Sequence, residues 1–344
     1  MFFAITILCA QPHCATTAND LATLANTGLS LSRQGQYPAA ADCYRKALAI
    51  NPKIPEIQLN LALAEFKVGH FSEAVTPLRA VLSLDSGNAQ ARMLLAMSYY
   101  GSGKFADAVP LLSAALTAQP ANSELRYVLA QSCLWAEQYD CALKQFEQLL
   151  RDKPDSAPVH ILVAEALDGQ GHQDEAIAEL QAAAAASPSE PNVHFNLGYL
   201  LWKQRRDEEA DRELRLELAH DPSHAQAYAW LGDIALRRDD LKAARPLLEK
   251  AVRLSADIRI AHLDLGILYA KEGPQEKAVA ELREAARLDP ARADAHYRLG
   301  RVYEAMGRRR EAQAEMAIVK RLQAEQAEDA LHKVSGRPPA LPVP

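Results

Sequence analysis

The amino-acid sequence predicts an all-α protein, a right-handed α-solenoid (superhelix) of tandem antiparallel helix pairs, and three observations carry that prediction. Pro52, Pro120, Pro154, Pro188, Pro222 and Pro290 are all separated by multiples of 34 residues. Twelve residues before each slot stands an alanine, in the series Ala40, Ala74, Ala108, Ala142, Ala176, Ala210, Ala244, Ala278 and Ala312. Twelve residues further back every unit is small: Gly28, Ala62, Ala96, Ala130, Ala164, Gly198, Gly232, Gly266 and Gly300. Self-similarity at one fixed period marks a stack of supersecondary units, each packing on its neighbours.

The units start near Leu21, Pro55, Ala89, Ser123, Ala157, Pro191, Ala225, Arg259 and Ala293. Small residues at positions 8 and 20 let the two helices of a unit, A and B, approach closely where they cross. A large residue at position 24 fills the space beside them: Tyr44, Leu78, Leu112, Phe146, Leu180, Leu214, Leu248, Leu282 and Met316. Proline at position 32 ends helix B because it cannot donate the helical hydrogen bond. Glycine near position 15, as at Gly35 and Gly69, supplies the left-handed residue of the turn between helices.

This small–small–large–Pro pattern resembles the tetratricopeptide repeat (TPR), and the resemblance covers residues 21–326. The chain departs from the family at position 4, where the family often carries Trp. Here that slot holds Leu24, Gln58, Arg92, Arg126, His160, His194, Tyr228, His262 and His296, a departure expected to weaken some inter-repeat packing, with the four histidines as flat, half-buried packing groups. Helix B of the last unit is expected to continue as a charged capping helix over 311–334, with a Pro-rich disordered tail at 336–344.

Residues 1–18 read as a signal peptide or a disordered N-terminus. The apolar run Phe2 to Ala10 lacks a basic n-region but is followed by small residues, with cleavage sites after Ala10 or Ala15. Export to a bacterial periplasm is the expectation, and a cytoplasmic protein is the alternative. With Cys9 and Cys14 in the N-terminal segment, Cys43, Cys133 and Cys141 remain in the body, an odd number that does not read as a disulfide framework. Cys133 and Cys141 lie close enough to meet, but two small buried apolar residues is the favoured reading.

Composition removes several functions. A net charge of −6 gives no basic field for nucleic acid. No apolar stretch of about 18 residues provides a transmembrane span. No phosphate-cradling loop, nucleophile elbow or zinc-ligand cluster occurs, so neither an enzyme nor a cofactor or metal site is expected. The position-4 histidines sit on A helices about 8–10 Å apart, too far for shared zinc ligation.

Helical periodicity places positions 4, 7, 8 and 11 on the core face and positions 2, 5, 6, 9, 12 and 13 opposite. In TPR-like superhelices the second set lines the concave groove. Here it offers Asn60, Phe66, Tyr100, Tyr127, Gln131, Trp135, Phe195, Asn196, Tyr199, Trp202 and Trp230, including all three tryptophans of the protein. Aromatic side chains give large contact area at low entropic cost, which suits partner binding. The resemblance implies that Asn26, Asn60 and Asn196, at position 6, grip peptide backbone, although the ladder is broken elsewhere. No unit has the Lys–Asn pair of a carboxylate clamp, so a chaperone C-terminal tail is not an expected partner. Asp233, Asp264, Asp294, Arg298, Arg301 and Glu304 make the C-terminal groove the more polar part.

The expected function is a non-catalytic protein–protein interaction scaffold that holds a partner peptide or protein segment in the concave groove. The alternatives are an exported envelope-assembly factor acting through its outer surface or termini, and the regulatory or substrate-binding arm of a separate enzyme such as a glycosyltransferase.

Overall fold

The computed structural model describes Cys14 and residues 20–335, with side chains through Glu328. The signal-peptide reading of 1–18, apart from Cys14, and the tail reading of 336–344 lie outside the described residues. Among the described residues there are eighteen helices and no strand. The chain divides into two compact units, residues 1–176 and 177–344. The first contains α1 (Leu21–Arg33), α2 (Tyr37–Ile50), α3 (Pro55–Val68), α4 (Phe71–Leu84), α5 (Ala89–Gly101), α6 (Phe105–Ala118), α7 (Ser123–Trp135), α8 (Tyr139–Asp152) and α9 (Ala157–Gly169). The boundary falls within α10 (Gln173–Ala186). The second contains α11 (Val193–Lys203), α12 (Asp207–His220), α13 (Ala225–Arg237), α14 (Leu241–Leu254), α15 (Arg259–Glu272), α16 (Gln275–Leu288), α17 (Ala293–Ala305) and α18 (Arg309–Ser335). Within each unit every A helix packs on its own B helix, and that B helix on the next A helix, as a solenoid requires.

The in-phase residues form the core. The position-20 alanines from Ala40 to Ala312 are all buried. At position 24, Tyr44 through Leu282 are buried, and Met316 in the last repeat is half-buried. Positions 8 and 24 meet directly: a Cβ on Gly232 would lie 2.4 Å from Leu248 Cδ2, and one on Gly198 2.8 Å from Leu214 Cγ. The small residue is therefore a contact requirement of this interface, where interiors have no slack to absorb extra volume.

The turn after helix A has one geometry in all nine repeats. Position 15 has positive φ at Gly35, Gly69, Gly103, Gly171, Gly273 and Gly307, and also at Glu137, Arg205 and Asp239 where glycine is absent. The following N–H reaches back five residues to helix A in every repeat but the eighth, where Pro274 has none to donate, as in His70 N to Glu65 O at 2.9 Å and Gln138 N to Cys133 O at 2.8 Å. These bonds satisfy carbonyls that the helix end would otherwise leave open. Helix starts are capped where the sequence permits: Asn88, Asn122 and Asp240 accept from Ala91, Leu125 and Ala243 N–H at 2.9, 2.9 and 3.0 Å.

Three expectations need correction. First, the cysteines form disulfides, Cys14–Cys43 and Cys133–Cys141, and are not merely small buried residues. Setting Cys14 aside with the N-terminal segment hid the first pair, because Cys14 is the partner of Cys43. Second, position 11 of repeat 2 holds a carboxylate on the core face. Glu65, only 2% exposed, is neutralised by Arg45 and by His70 Nδ1 at 3.1 Å, as a buried charge must be. Third, position 4 is a hydrogen-bonding position and not a plain packing slot. Gln58, Arg126, His160 and Tyr228 reach the carbonyls of Pro52, Pro120, Pro154 and Pro222 at 2.9, 2.6, 2.7 and 3.3 Å. Each bond closes the turn between repeats by satisfying the proline carbonyl.

Three of the histidines at this position bond position 23 of their own helix B. His194, His262 and His296 Nδ1 lie 2.7, 2.7 and 2.6 Å from Glu213, Glu281 and Glu315. His262 also reaches the Ala256 carbonyl through Nε2 at 3.1 Å, so both ring nitrogens face acceptors. Burial opposes protonation of His262, but the Glu281 carboxylate and the Ala256 carbonyl outweigh it and hold the pKa above its ordinary value of 6.5. A raised folded-state pKa means that this stabilisation is fully present below pH 6.5 and is lost as pH rises through the folded value. The melting-temperature difference between wild type and His262→Gln should therefore be largest near pH 6 and shrink by about pH 8.5. A difference that grows with pH contradicts the charged assignment.

Candidate functional site

The eleven residues expected to line the groove are all half-buried or exposed; none is part of the buried core. They fall into two groups, one in each compact unit.

In the first unit Asn60 and Phe66 stand on α3, Tyr100 on α5, and Tyr127, Gln131 and Trp135 on α7. Tyr100 donates its hydroxyl to Gln131 Oε1 at 2.7 Å and lies 5.9 Å from the Trp135 ring. Phe105, at the start of α6, packs on Trp135 with centroids 4.8 Å apart. Trp135 nevertheless remains 42% exposed, the only tryptophan of the three in the exposed class. Burial raises the Tyr100 phenol pKa, with the neighbouring Tyr127 phenol adding to the effect, and burial alone raises that of Tyr127. Phe66 turns partly aside to meet Phe71 edge-on at 5.2 Å. Phe105 was missed at the sequence level, yet it belongs to a readable series. Tyr37, Phe71, Phe105 and Tyr139 share position 17, and Phe71 and Tyr139 pack on Gly101 and Gly169 at position 13 of the next repeat. Trp135 occupies that same position 13 and meets Phe105 in the equivalent way.

In the second unit Phe195, Tyr199 and Trp202 descend α11, and Trp230 joins them from α13. Tyr199 stacks on Trp202 at 5.9 Å, and the Trp202 and Trp230 centroids are 4.1 Å apart. These four rings wall a cavity of about 740 Å³, closed opposite by Ile258, Arg259, Ile260 and Arg292. Ile258 and Arg292 stand just before α15 and α17, and Arg259 and Ile260 open α15; Ile260 holds position 2 of its repeat, a groove position, but none of the four was named as a groove residue from the sequence. The upper end is fixed by His224: its Nδ1 accepts from Ala227 N–H at 3.2 Å, and its ring packs on Phe195 at 4.4 Å.

Two expectations about this face are overturned. Asp233 and Asp264 do not display charge to a groove; both are buried. Asp233 accepts from the Trp202 indole N–H, and the Arg237 guanidinium lies 5.2 Å over the same indole. Burial raises the Asp233 pKa against the opposing effects of Trp202 and Arg237. Burial, reinforced by Asp233, pushes Asp264 well above the usual carboxylate range. Trp202 is therefore partly structural, because it supplies the donor for a buried carboxyl group. By contrast, the amides of Asn26, Asn60 and Asn196 bond no other described side chain or backbone group, so all three are open to a ligand.

The geometry defines a helical-repeat protein with aromatic surfaces on its A helices. Tetratricopeptide-repeat family models match residues 99–166, 59–123 with 195–258, and 294–322, and a TPR-repeat model matches 28–69, 169–204 and 268–307. The chain belongs to the tetratricopeptide-repeat family. No curated protein sequence matches it. Among solved structures, it is similar to the APC/C hetero-tetramer Cut9–Hcn1 at 15% identity and TM-score 0.55, over 88% of this chain and 73% of that one. It is also similar to PilF of Pseudomonas aeruginosa, at 23% identity and TM-score 0.53, over 60% of this chain and 97% of that one. A tetratricopeptide repeat protein from Parabacteroides merdae is 17% identical, with TM-score 0.50, over 72% of this chain and 98% of that one. At these identities the likeness is one of fold. No helix among the described residues is long and apolar enough to cross a membrane.

Proposed function

We propose that the protein is a non-catalytic scaffold that binds segments of a partner protein on the aromatic faces of its A helices. One observation carries the reading: aromatic rings that the fold does not need in its core are gathered on that face and left accessible to a ligand. Tyr100, Tyr127 and Trp135 form one such surface, and Phe195, Tyr199, Trp202 and Trp230 wall the cavity of the other. Apolar partner side chains gain by leaving water against these rings. The free amides of Asn60 and Asn196 offer a donor and an acceptor each to a partner backbone.

The test uses Trp135 and Trp230, because removing Trp202 would also strip a donor from buried Asp233. The Trp135→Ala/Trp230→Ala double variant should lose at least tenfold in partner capture, read by quantitative mass spectrometry of bait-bound protein. Its helical circular dichroism should be unchanged. Capture equal to wild type would remove the aromatic faces from the function.

The disulfides favour the expectation of export. Structural disulfides persist in oxidising compartments. Cys14 is bonded to Cys43, so cleavage after Ala10 would retain the pair and cleavage after Ala15 would destroy it. Cleavage after Ala10 also removes Cys9, leaving four cysteines that all pair. On this reading the scaffold works outside the cytoplasm.

A further inference from the structure

The charge of the A-helix face is uneven in a way that specifies a partner. In repeats 3 to 5, positions 2, 5, 6, 9, 12 and 13 contain no Lys or Arg, while they include the acids Glu124, Glu165 and Asp168. Arg92 and Arg126, on the same helices, stand at position 4 and are tied back to the carbonyls of Gly87 and Pro120 at 3.2 and 2.6 Å. No cation of these three helices is therefore placed on the aromatic surface.

Glu165 is the group this leaves exposed. It stands on α9 at position 9, in the row that holds Gln131 on α7, and α9 packs beside α7. Ile161, one turn earlier, continues the row of Tyr127. Glu165 is open to solvent, yet it has no hydrogen-bond or ion-pair partner among the described residues. Its carboxyl pKa is raised, and the surrounding protein mass is the sole cause. Its ionised form lacks both a full water shell and a protein counter-charge.

We infer that the aromatic surface of repeats 3 to 5 takes a partner segment presenting Lys or Arg beside a bulky apolar side chain. The cationic head meets Glu165, and its aliphatic stem and the apolar neighbour lie against Tyr127 and Trp135. Long basic side chains combine an apolar stem with a charged tip, and a cation over an indole or phenol face gains further. The uncompensated carboxylate selects against acidic segments by the same charge. This deepens the scaffold reading and rests on it.

The experiment measures fluorescence anisotropy of labelled, end-blocked peptides Gly-Ser-Lys-Phe-Leu-Ser-Gly and Gly-Ser-Gln-Phe-Leu-Ser-Gly with the full chain at low salt. The Lys peptide should bind wild type about fivefold or more tightly than the Gln peptide. In Glu165→Gln the ratio should fall below about twofold, with Gln-peptide affinity unchanged; in 0.5 M salt it should also shrink. Trp135→Ala should weaken both peptides. Equal binding of the two peptides to wild type, or a ratio that survives Glu165→Gln, overturns the cationic inference and leaves the scaffold reading intact. Failure of the Lys peptide to bind also overturns the inference. Indifference of both peptides to Trp135→Ala strikes the scaffold reading itself.

Discussion

Phe146→Ala should destabilise the first compact unit by about 3–5 kcal/mol, the cost of deleting a large aromatic side chain from a core that cannot collapse around the loss. Phe146 is fully buried at position 24 of repeat 4 and shares its register with the buried Ala130 and Ala142. The neighbouring repeats cannot fill the space, because their own positions 24, Leu112 and Leu180, are already packed. Phe146→Leu is the control: leucine occupies the equivalent slot in six other repeats, so its cost should stay below about 1.5 kcal/mol. Urea denaturation read by circular dichroism measures both. Since repeat arrays are stabilised by nearest-neighbour interfaces, the alanine variant should also broaden the transition. Hydrogen exchange should rise first in α7 and α8. A loss below about 1 kcal/mol would mean that position 24 is not the keystone of the helix pair.

That prediction could have been made without coordinates, and the reason is physical. Positions 8, 20 and 24 form one contact per repeat, so the same constraint is written nine times and survives substitution at any one of them. The turn glycine was legible for the same reason. Glu137, Arg205 and Asp239 show that the backbone keeps its left-handed residue even where the side chain disfavours it. What could not be read was what the polar side chains bond, since the helical pattern fixes which face a residue takes and not its partner. His262 looks like a packing residue until Glu281 and the Ala256 carbonyl are seen at its two nitrogens. Asp233 reads as a groove charge until Trp202 covers it. The aromatic residues were found by their helical phase, but the opposite wall of the cavity adds Ile258 and Arg292 from the turns before α15 and α17, where no periodicity applies. Glu165 was passed over because periodicity gives its face and not the absence of a counter-charge.

Reducing the Cys14–Cys43 disulfide should loosen the first repeat by about 3 to 4 kcal/mol on the chain-entropy model, since the bond closes a loop of 29 residues. The shorter Cys133–Cys141 loop, 8 residues, should contribute about 2 to 3 kcal/mol to repeat 4. The first bond matters more for a second reason. Cys14 and Cys43 are both buried in the terminal core with Leu24, Ala40 and Tyr44, and Lys46 Nζ donates to the Cys14 carbonyl at 3.2 Å. Cys14 thus helps to cover the core of the first described repeat, and terminal repeats need such a cap. Thermal unfolding with and without reductant, combined with hydrogen exchange, separates these contributions. Reductant should raise exchange throughout α1 and α2, while α13 to α16 keep their protection. In a Cys14→Ser/Cys43→Ala variant, reductant should leave α1 and α2 unchanged and act on α7 and α8 alone. If wild-type α1 and α2 ignore reductant, the bond does not hold the cap. If the exported form begins after Ala10, the denatured, unreduced protein should contain no titratable thiol. A chain retaining Cys9 should contain one. The same thiol titration then tests where the protein works as well as what holds its first repeat.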